Sequence, residues 1–174
     1  MNDKDIIHIL RHKRHDWMNQ LQLVDGYASM GKMDRMKEQL DKIITDAEQE
    51  RRLLNSSAYH FSIWLLTFNW ENQQCRLSYV INEDIDLSRH DEQLVAYANQ
   101  TLDILNEHCL FGELYEGTIQ IKKNQQQEKE NVVVSWDWLG SFKDEPLLME
   151  KLYNKGFSAS LDTGSELSIE ITIE

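Results

Sequence analysis

Three histidines lie near the start of the chain at spacings of four and three residues: His8, His12 and His15. The last has an acid directly after it, Asp16, and an amide one turn on, Asn19. On a helix these positions share one stripe, which continues through Gln22 and stays off the apolar seam. Arg11, Lys13 and Arg14 crowd the same two turns, so an imidazole, a carboxylate, an amide and several cations gather in a few residues. Phosphoryl transfer asks little more of a protein. Its transition state spreads negative charge over equatorial oxygens, and catalysis is chiefly positioning and electrostatic stabilisation, with a metal usually helping. A free imidazole with a pKa of about 6.5 is largely neutral near neutral pH and offers one ring nitrogen as nucleophile. Any one of these histidines alone would be an ordinary polar surface residue, and the neighbourhood is what singles out His15. Asp16 would fix its tautomer or hold its other N–H, and Asn19 would hold a water or a partner's carboxylate.

The same residues admit two rival chemistries. His8 and His12, at i and i+4, have the spacing of a two-ligand helical metal site. No distant segment supplies a third ligand, and no Glu follows His8 as in a metalloprotease helix, so the spacing assigns no metal. The other rival is a non-enzymatic coiled-coil adaptor that uses Arg11-His12-Lys13-Arg14-His15 only for docking. It predicts that His15→Ala keeps partner binding and alters no phosphoryl traffic.

Composition narrows the field. The net charge of -12 over 174 residues argues against nucleic acid, which requires a basic face to displace counterions. On that acidic background the basic island is local and would steer an acidic partner to one place. No stretch approaches the roughly 18 continuous apolar residues of a membrane span, and the charged start Met1-Asn2-Asp3-Lys4-Asp5 lacks a signal-peptide core, so a cytoplasmic location is expected. Cys75 and Cys109 lie far apart without CxxC or Cys/His spacing, which favours small buried hydrophobes over redox or zinc chemistry.

The elements that must position His15 read as two helices. From Asp3 to about Ala28, Ile7, Leu10, Trp17, Leu21, Val24 and Ala28 recur at helical spacing, interrupted by Arg14. Ser29-Met30-Gly31-Lys32 supplies a glycine where a helix ends, and Asp34 suits the first turn of the next. Met33, Met36, Leu40, Ile43, Ala47 and Leu54 then carry a second helix to about Leu54. Each helix would be about 35 Å long, at roughly 1.5 Å per residue. A lone hairpin of this size buries too little apolar surface to offset its ordering entropy, and a second copy completing a four-helix bundle is the simplest remedy. Antiparallel pairing about the turn sets Arg14 opposite Ala47, with Glu48 or Glu50 to take its charge.

The character changes after Asn55-Ser56-Ser57, which divides the chain into a hairpin domain of residues 1–57 and an α/β domain of residues 58–174. Phe61 to Trp70 is too dense in apolar and aromatic residues for an exposed helix face and belongs in a core. Arg76 to Asn82 reads as a strand, Asp91 to His108 as a helix, and Gly117 to Lys123 and Val132 to Trp138 as strands around the polar loop Asn124 to Asn131. Pro146 opens a short helix to about Asn154, and Glu166 to Ile173 ends the chain as a strand. The fold class is therefore α+β.

Leu10-Arg11-His12-Lys13-Arg14-His15-Asp16-Trp17-Met18-Asn19-Gln20-Leu21-Gln22-Leu23, followed by Gly26-Tyr27, resembles the phosphoacceptor helix of the sporulation-initiation phosphotransferase B family and of the related citrate and dicarboxylate sensor kinases. The shared core is a basic residue, His-Asp or His-Glu, an aromatic, one residue, Asn and a leucine periodicity. A looser likeness runs through the second helix into Trp64-Leu65-Leu66-Thr67-Phe68-Asn69-Trp70-Glu71. The resemblance implies that His15 is the acceptor, with Asp16 its acidic neighbour and Asn19 the amide of the motif. It implies that the phosphoryl group comes from one response-regulator aspartate and goes to another, the partners being receiver domains and a second copy of the chain. Mg²⁺ is expected from the regulator's acidic site, since this chain offers no clear carboxylate cage and no cofactor of its own is expected. Arg11, His12, Lys13 and Arg14 would meet the regulator, and association would be steered and salt-sensitive.

A sensor kinase, or a fragment of one, would also need an ATP-binding domain with an asparagine-bearing helix and two glycine-rich loops. Asn99 and Asn106 lie on the helix expected from Asp91 to His108, but Gly112, Gly117, Gly140, Gly156 and Gly164 are scattered singly, and Asp162-Thr163-Gly164 lacks a second glycine. The second domain resembles a degenerate histidine-kinase ATPase domain, and no direct use of ATP is expected.

Overall fold

A computed structural model describes residues 3–124, 131–162 and 166–173. Met1-Asn2, most of the polar loop with its glutamine run, and Thr163-Gly164 of the Asp-Thr-Gly triplet lie outside the described residues. In chain order the elements are α1 (Asp3–Ser29), α2 (Met33–Asn55), α3 (Tyr59–Glu71), β1 (Cys75–Ile81), a short 3-10 turn (Ser88–His90), α4 (Asp91–His108), β2 (Tyr115–Lys123), β3 (Val132–Leu139), α5 (Glu145–Asn154), β4 (Ser158–Leu161) and β5 (Glu166–Ile173). The fold is α+β, as the alternation of patterns along the sequence predicts. It divides into two compact units, Met1–Glu50 and Arg51–Glu174.

The first unit is the hairpin. The reversal turns on Gly31, whose φ of 67° suits a residue without a Cβ, and the Lys32 N–H reaches back to the Tyr27 carbonyl at 2.9 Å to close the end of α1. Asp34 sits in the first turn of α2, where its charge meets the helix dipole. Along the whole of α1 no side chain is buried. Leu10 and Trp17 are each more than half exposed, and Leu21 and Ile44 are also exposed.

The second unit carries the core. Its five-stranded sheet has the order β1-β2-β3-β5-β4, with β1 parallel to β2 and every other neighbour antiparallel. A parallel pair requires a crossover, and α4 supplies it. Ile119, Trp136 and Ile169 stand side by side across three strands, as do Gly117, Trp138 and Leu167. Gly117 has a steric reason: a Cβ there would lie 2.7 Å from the Trp138 ring. The sequence pattern missed β4, because Ser158-Ala159-Ser160-Leu161 is a short edge strand with little apolar alternation to reveal it. Cys75 and Cys109, distant in sequence, come together: Cys75 is buried, and a hydrogen bond between the thiols holds Cys75 below the usual thiol range while that bond and burial push Cys109 up.

The N-terminus of α3 is capped from a distance. Ala58 at the cap position has no side-chain acceptor. The Asp91 carboxylate, at the start of α4, instead accepts the backbone N–H groups of His60 at 3.0 Å and Phe61 at 2.8 Å, and lies 2.9 Å from His60 Nδ1. Burial would raise the Asp91 pKa, but these hydrogen bonds outweigh it and hold the carboxyl below its usual range. A group lowered in this way contributes stability that is complete above the ordinary carboxylate range and fades as pH falls through the lowered value. Asp91→Ala is expected to cost about 0.5–2 kcal/mol at neutral pH, the size of a lost helix cap, and to flatten the acid limb of a urea-denaturation series.

Candidate phosphoacceptor site

The helix places the predicted residues as their spacing requires. The His15 side chain is 71% exposed, and that of Asp16 49%. Asn19 Nδ2 approaches His15 Nδ1 at 3.3 Å, and Asp16 Oδ1 approaches the same nitrogen at 3.4 Å. Two polar neighbours thus sit on one side of the ring, and the opposite nitrogen, Nε2, meets neither. With its proton on Nδ1 the ring donates to the Asp16 carboxylate, and in that tautomer the Nε2 lone pair points away from both neighbours. What decides the tautomer is how the Asn19 amide faces: its oxygen accepts from Nδ1–H, whereas its NH₂ donates to a bare Nδ1.

The basic island divides. Arg11 and Arg14 are exposed, whereas Lys13 is half-buried and paired with Glu50 at 2.5 Å. Of the two acids that the spacing offers Arg14, Glu48 and Glu50, the second is taken by Lys13. One residue of register decides this, since adjacent positions on a helix point about 100° apart. His12 is half-buried, and its Nε2 lies 3.1 Å from that of His8. The stripe is thus a contacting pair, His8 with His12, followed by a separately held His15.

Other features of the second unit bear on the kinase alternative. Asn99 on α4 accepts the indole N–H of Trp64 at 2.9 Å, and Trp64 packs against Phe61, Phe68 and Trp136. Two shallow hollows of about 420 and 450 Å³ share Gln120 and Asp137 and are otherwise lined mainly by short hydroxyl and acidic side chains such as Ser78, Thr118, Ser160 and Glu170. His60 pairs with Asp91, which the sequence pattern did not single out because the two lie on different helices. Among the described residues no group of three or more His, Cys, Asp or Glu side chains could hold a metal ion, and no helix is long and apolar enough to cross a membrane.

Comparison with known proteins follows the division of the chain. Residues 1–56 match the SpoOB-type sensor-kinase alpha-helical domain, and residues 57–174 match the C-terminal domain of sporulation initiation phosphotransferase B. A relative from Bacillus subtilis (strain 168), sporulation initiation phosphotransferase B, is 30% identical over 154 residues, covering 88% of this chain and 79% of that protein. Among solved structures, the blue-light activated histidine kinase of Erythrobacter litoralis EL346 aligns over 98% of this chain at 12% identity with a TM-score of 0.43. Its histidine kinase domain aligns over 68% at 9% identity with a TM-score of 0.40. The chain spans 59% and 60% of those two structures, and likeness at this level adds nothing to the sequence matches. Those sequence matches run from one end to the other, one over the hairpin and one over the sheet domain, and on them the chain belongs to the sporulation initiation phosphotransferase B family.

Proposed function

We propose that this chain is the histidine phosphotransferase of a sporulation phosphorelay, receiving a phosphoryl group on His15 from the aspartate of one response regulator and passing it to the aspartate of another. The observation that carries the proposal is an exposed imidazole whose Nδ1 faces Asp16 and Asn19, leaving Nε2 outward. Nε2 attacks the phosphorus of the aspartyl phosphate, the N–P bond forms as the P–O bond to the donor aspartate breaks, and the donor leaves as a carboxylate. The ring then carries a positive charge shared with Nδ1–H, which the Asp16 carboxylate stabilises. The return step to the second regulator reverses these bonds. Mg²⁺ at the regulator's own acidic site supplies the remaining charge neutralisation.

Arg11 and Arg14 are the cations left at the surface to meet an acidic receiver domain, while Lys13 holds the hairpin through Glu50. The apolar side chains exposed along α1 and α2 support dimerisation into a four-helix bundle. The sheet domain takes no part in ATP chemistry on this reading: its glycines are scattered, and Asn99 is engaged by Trp64. The cytoplasm, where receiver domains work, is the proposed location.

The test is incubation with a phosphorylated receiver domain and Mg²⁺, without nucleotide, followed by mapping of acid-labile phosphate. Label on residue 15 that appears as the regulator loses its own is expected. Label that requires ATP would favour the kinase, and undiminished regulator phosphate would favour the adaptor.

A further inference from the structure

We propose that His8 and His12 form a binding site for a divalent transition cation of the zinc, nickel and copper class. The two side chains stand one turn apart on α1, with their Nε2 atoms 3.1 Å from each other and the rings edge to face at a centroid separation of 4.4 Å. Metal–imidazole bonds of about 2.0–2.1 Å place two neighbouring nitrogens about 2.9 Å apart at a right angle and about 3.3 Å apart at the tetrahedral angle. The observed separation falls between these limits, so bridging both nitrogens with one ion asks for rotation of the donor ring and no movement of the backbone. Both positions lie within a continuous helix, Asp3–Ser29, and binding has only side-chain freedom to restrict.

The spacing by itself assigned no metal, for want of a third ligand. The convergence of the two ring nitrogens is the further fact. Neutral imidazole selects zinc, nickel or copper over Mg²⁺ and Ca²⁺, which take oxygen. With two protein ligands the remaining positions go to water, which makes the site open and exchangeable rather than structural. In the metal-free chain the same contact is a hydrogen bond in which one ring donates and the other accepts. Metal binding needs both protons on Nδ1, so the donor ring changes tautomer and no proton is lost.

An ion held there adds two positive charges about one turn from His15, beside Arg11 and Arg14, and so raises the charge of the face that would receive an acidic regulator. That consequence rests on the proposed phosphotransfer; the binding itself does not.

The experiment is a calorimetric titration of the tag-free full-length chain with Zn²⁺ in phosphate-free buffer, alongside His8→Gln, His12→Gln, the double variant and His15→Gln, with circular dichroism confirming equal helicity. One saturable zinc per chain is expected in the wild type and in His15→Gln. Affinity should fall at least about tenfold in either single variant, since even a second-shell change weakens metal sites on that scale. No saturable uptake by the wild type, uptake persisting in the double variant, or uptake lost in His15→Gln would each overturn the site. Phosphotransfer measured without zinc is untouched by any of these results, so the two proposals fail separately.

Discussion

His15→Ala is expected to reduce transfer from a phosphorylated receiver domain by more than about 10³-fold, to the background of aspartyl-phosphate hydrolysis, because a covalent relay has no second route once its nucleophile is gone. The fold should survive. The His15 side chain is 71% exposed and no side chain of α1 is buried, so thermal unfolding of the variant should match that of the wild type. The neighbours should grade the effect. On the proposed mechanism Asp16→Asn would keep an acceptor for Nδ1–H but lose the charge that stabilises the phosphoimidazolium, and Asp16→Ala would lose both, so the alanine variant should be the slower of the two. The measurement is quenched-flow transfer of labelled phosphate at fixed Mg²⁺. Transfer at wild-type rate in His15→Ala would place the chemistry elsewhere.

Leu21→Asp is expected to weaken self-association by at least about one to two orders of magnitude. Leu21 is 47% exposed in the single chain, on a helix whose apolar residues find no core of their own. Fully burying an exposed leucine is worth about 1.5–3 kcal/mol, about half of that remains to be gained at Leu21, and two-fold symmetry counts it twice, so the dimer loses roughly 1.5–3 kcal/mol of apolar burial and its Kd rises by about 10–10². The charge penalty adds to that. Sedimentation equilibrium across a concentration series reads the effect, and a wild-type chain that stays monomeric at high concentration would remove the basis for the bundle. Tertiary signals from the sheet domain should persist in the variant, because that domain has its own core.

The hairpin was legible because the apolar period, the glycine at the turn and the charge placement all agree over long segments, which is where pattern reading is strongest. The histidine cluster was legible for the same reason: within one helix, spacing is geometry. What escaped the pattern depended on contacts between distant segments. The parallel pairing of Cys75–Ile81 with Tyr115–Lys123, the meeting of Cys75 with Cys109 and the cap on α3 are all set by how elements pack. At the site, spacing placed His8 and His12 on one face, while their approach to 3.1 Å and the pairing of Lys13 with Glu50 depend on rotamers that residue identity leaves open.

The distant cap on α3 bears on the order in which the chain is made. Asp91 lies thirty-one residues beyond His60, so during synthesis the aromatic segment emerges well before the carboxylate that satisfies its leading amides. Until then an apolar run with an unfinished end is exposed to whatever hydrophobic surface is nearby, and a ribosome-bound chain whose emerged part stops short of residue 91 should hold chaperones longer than one whose fourth helix has emerged.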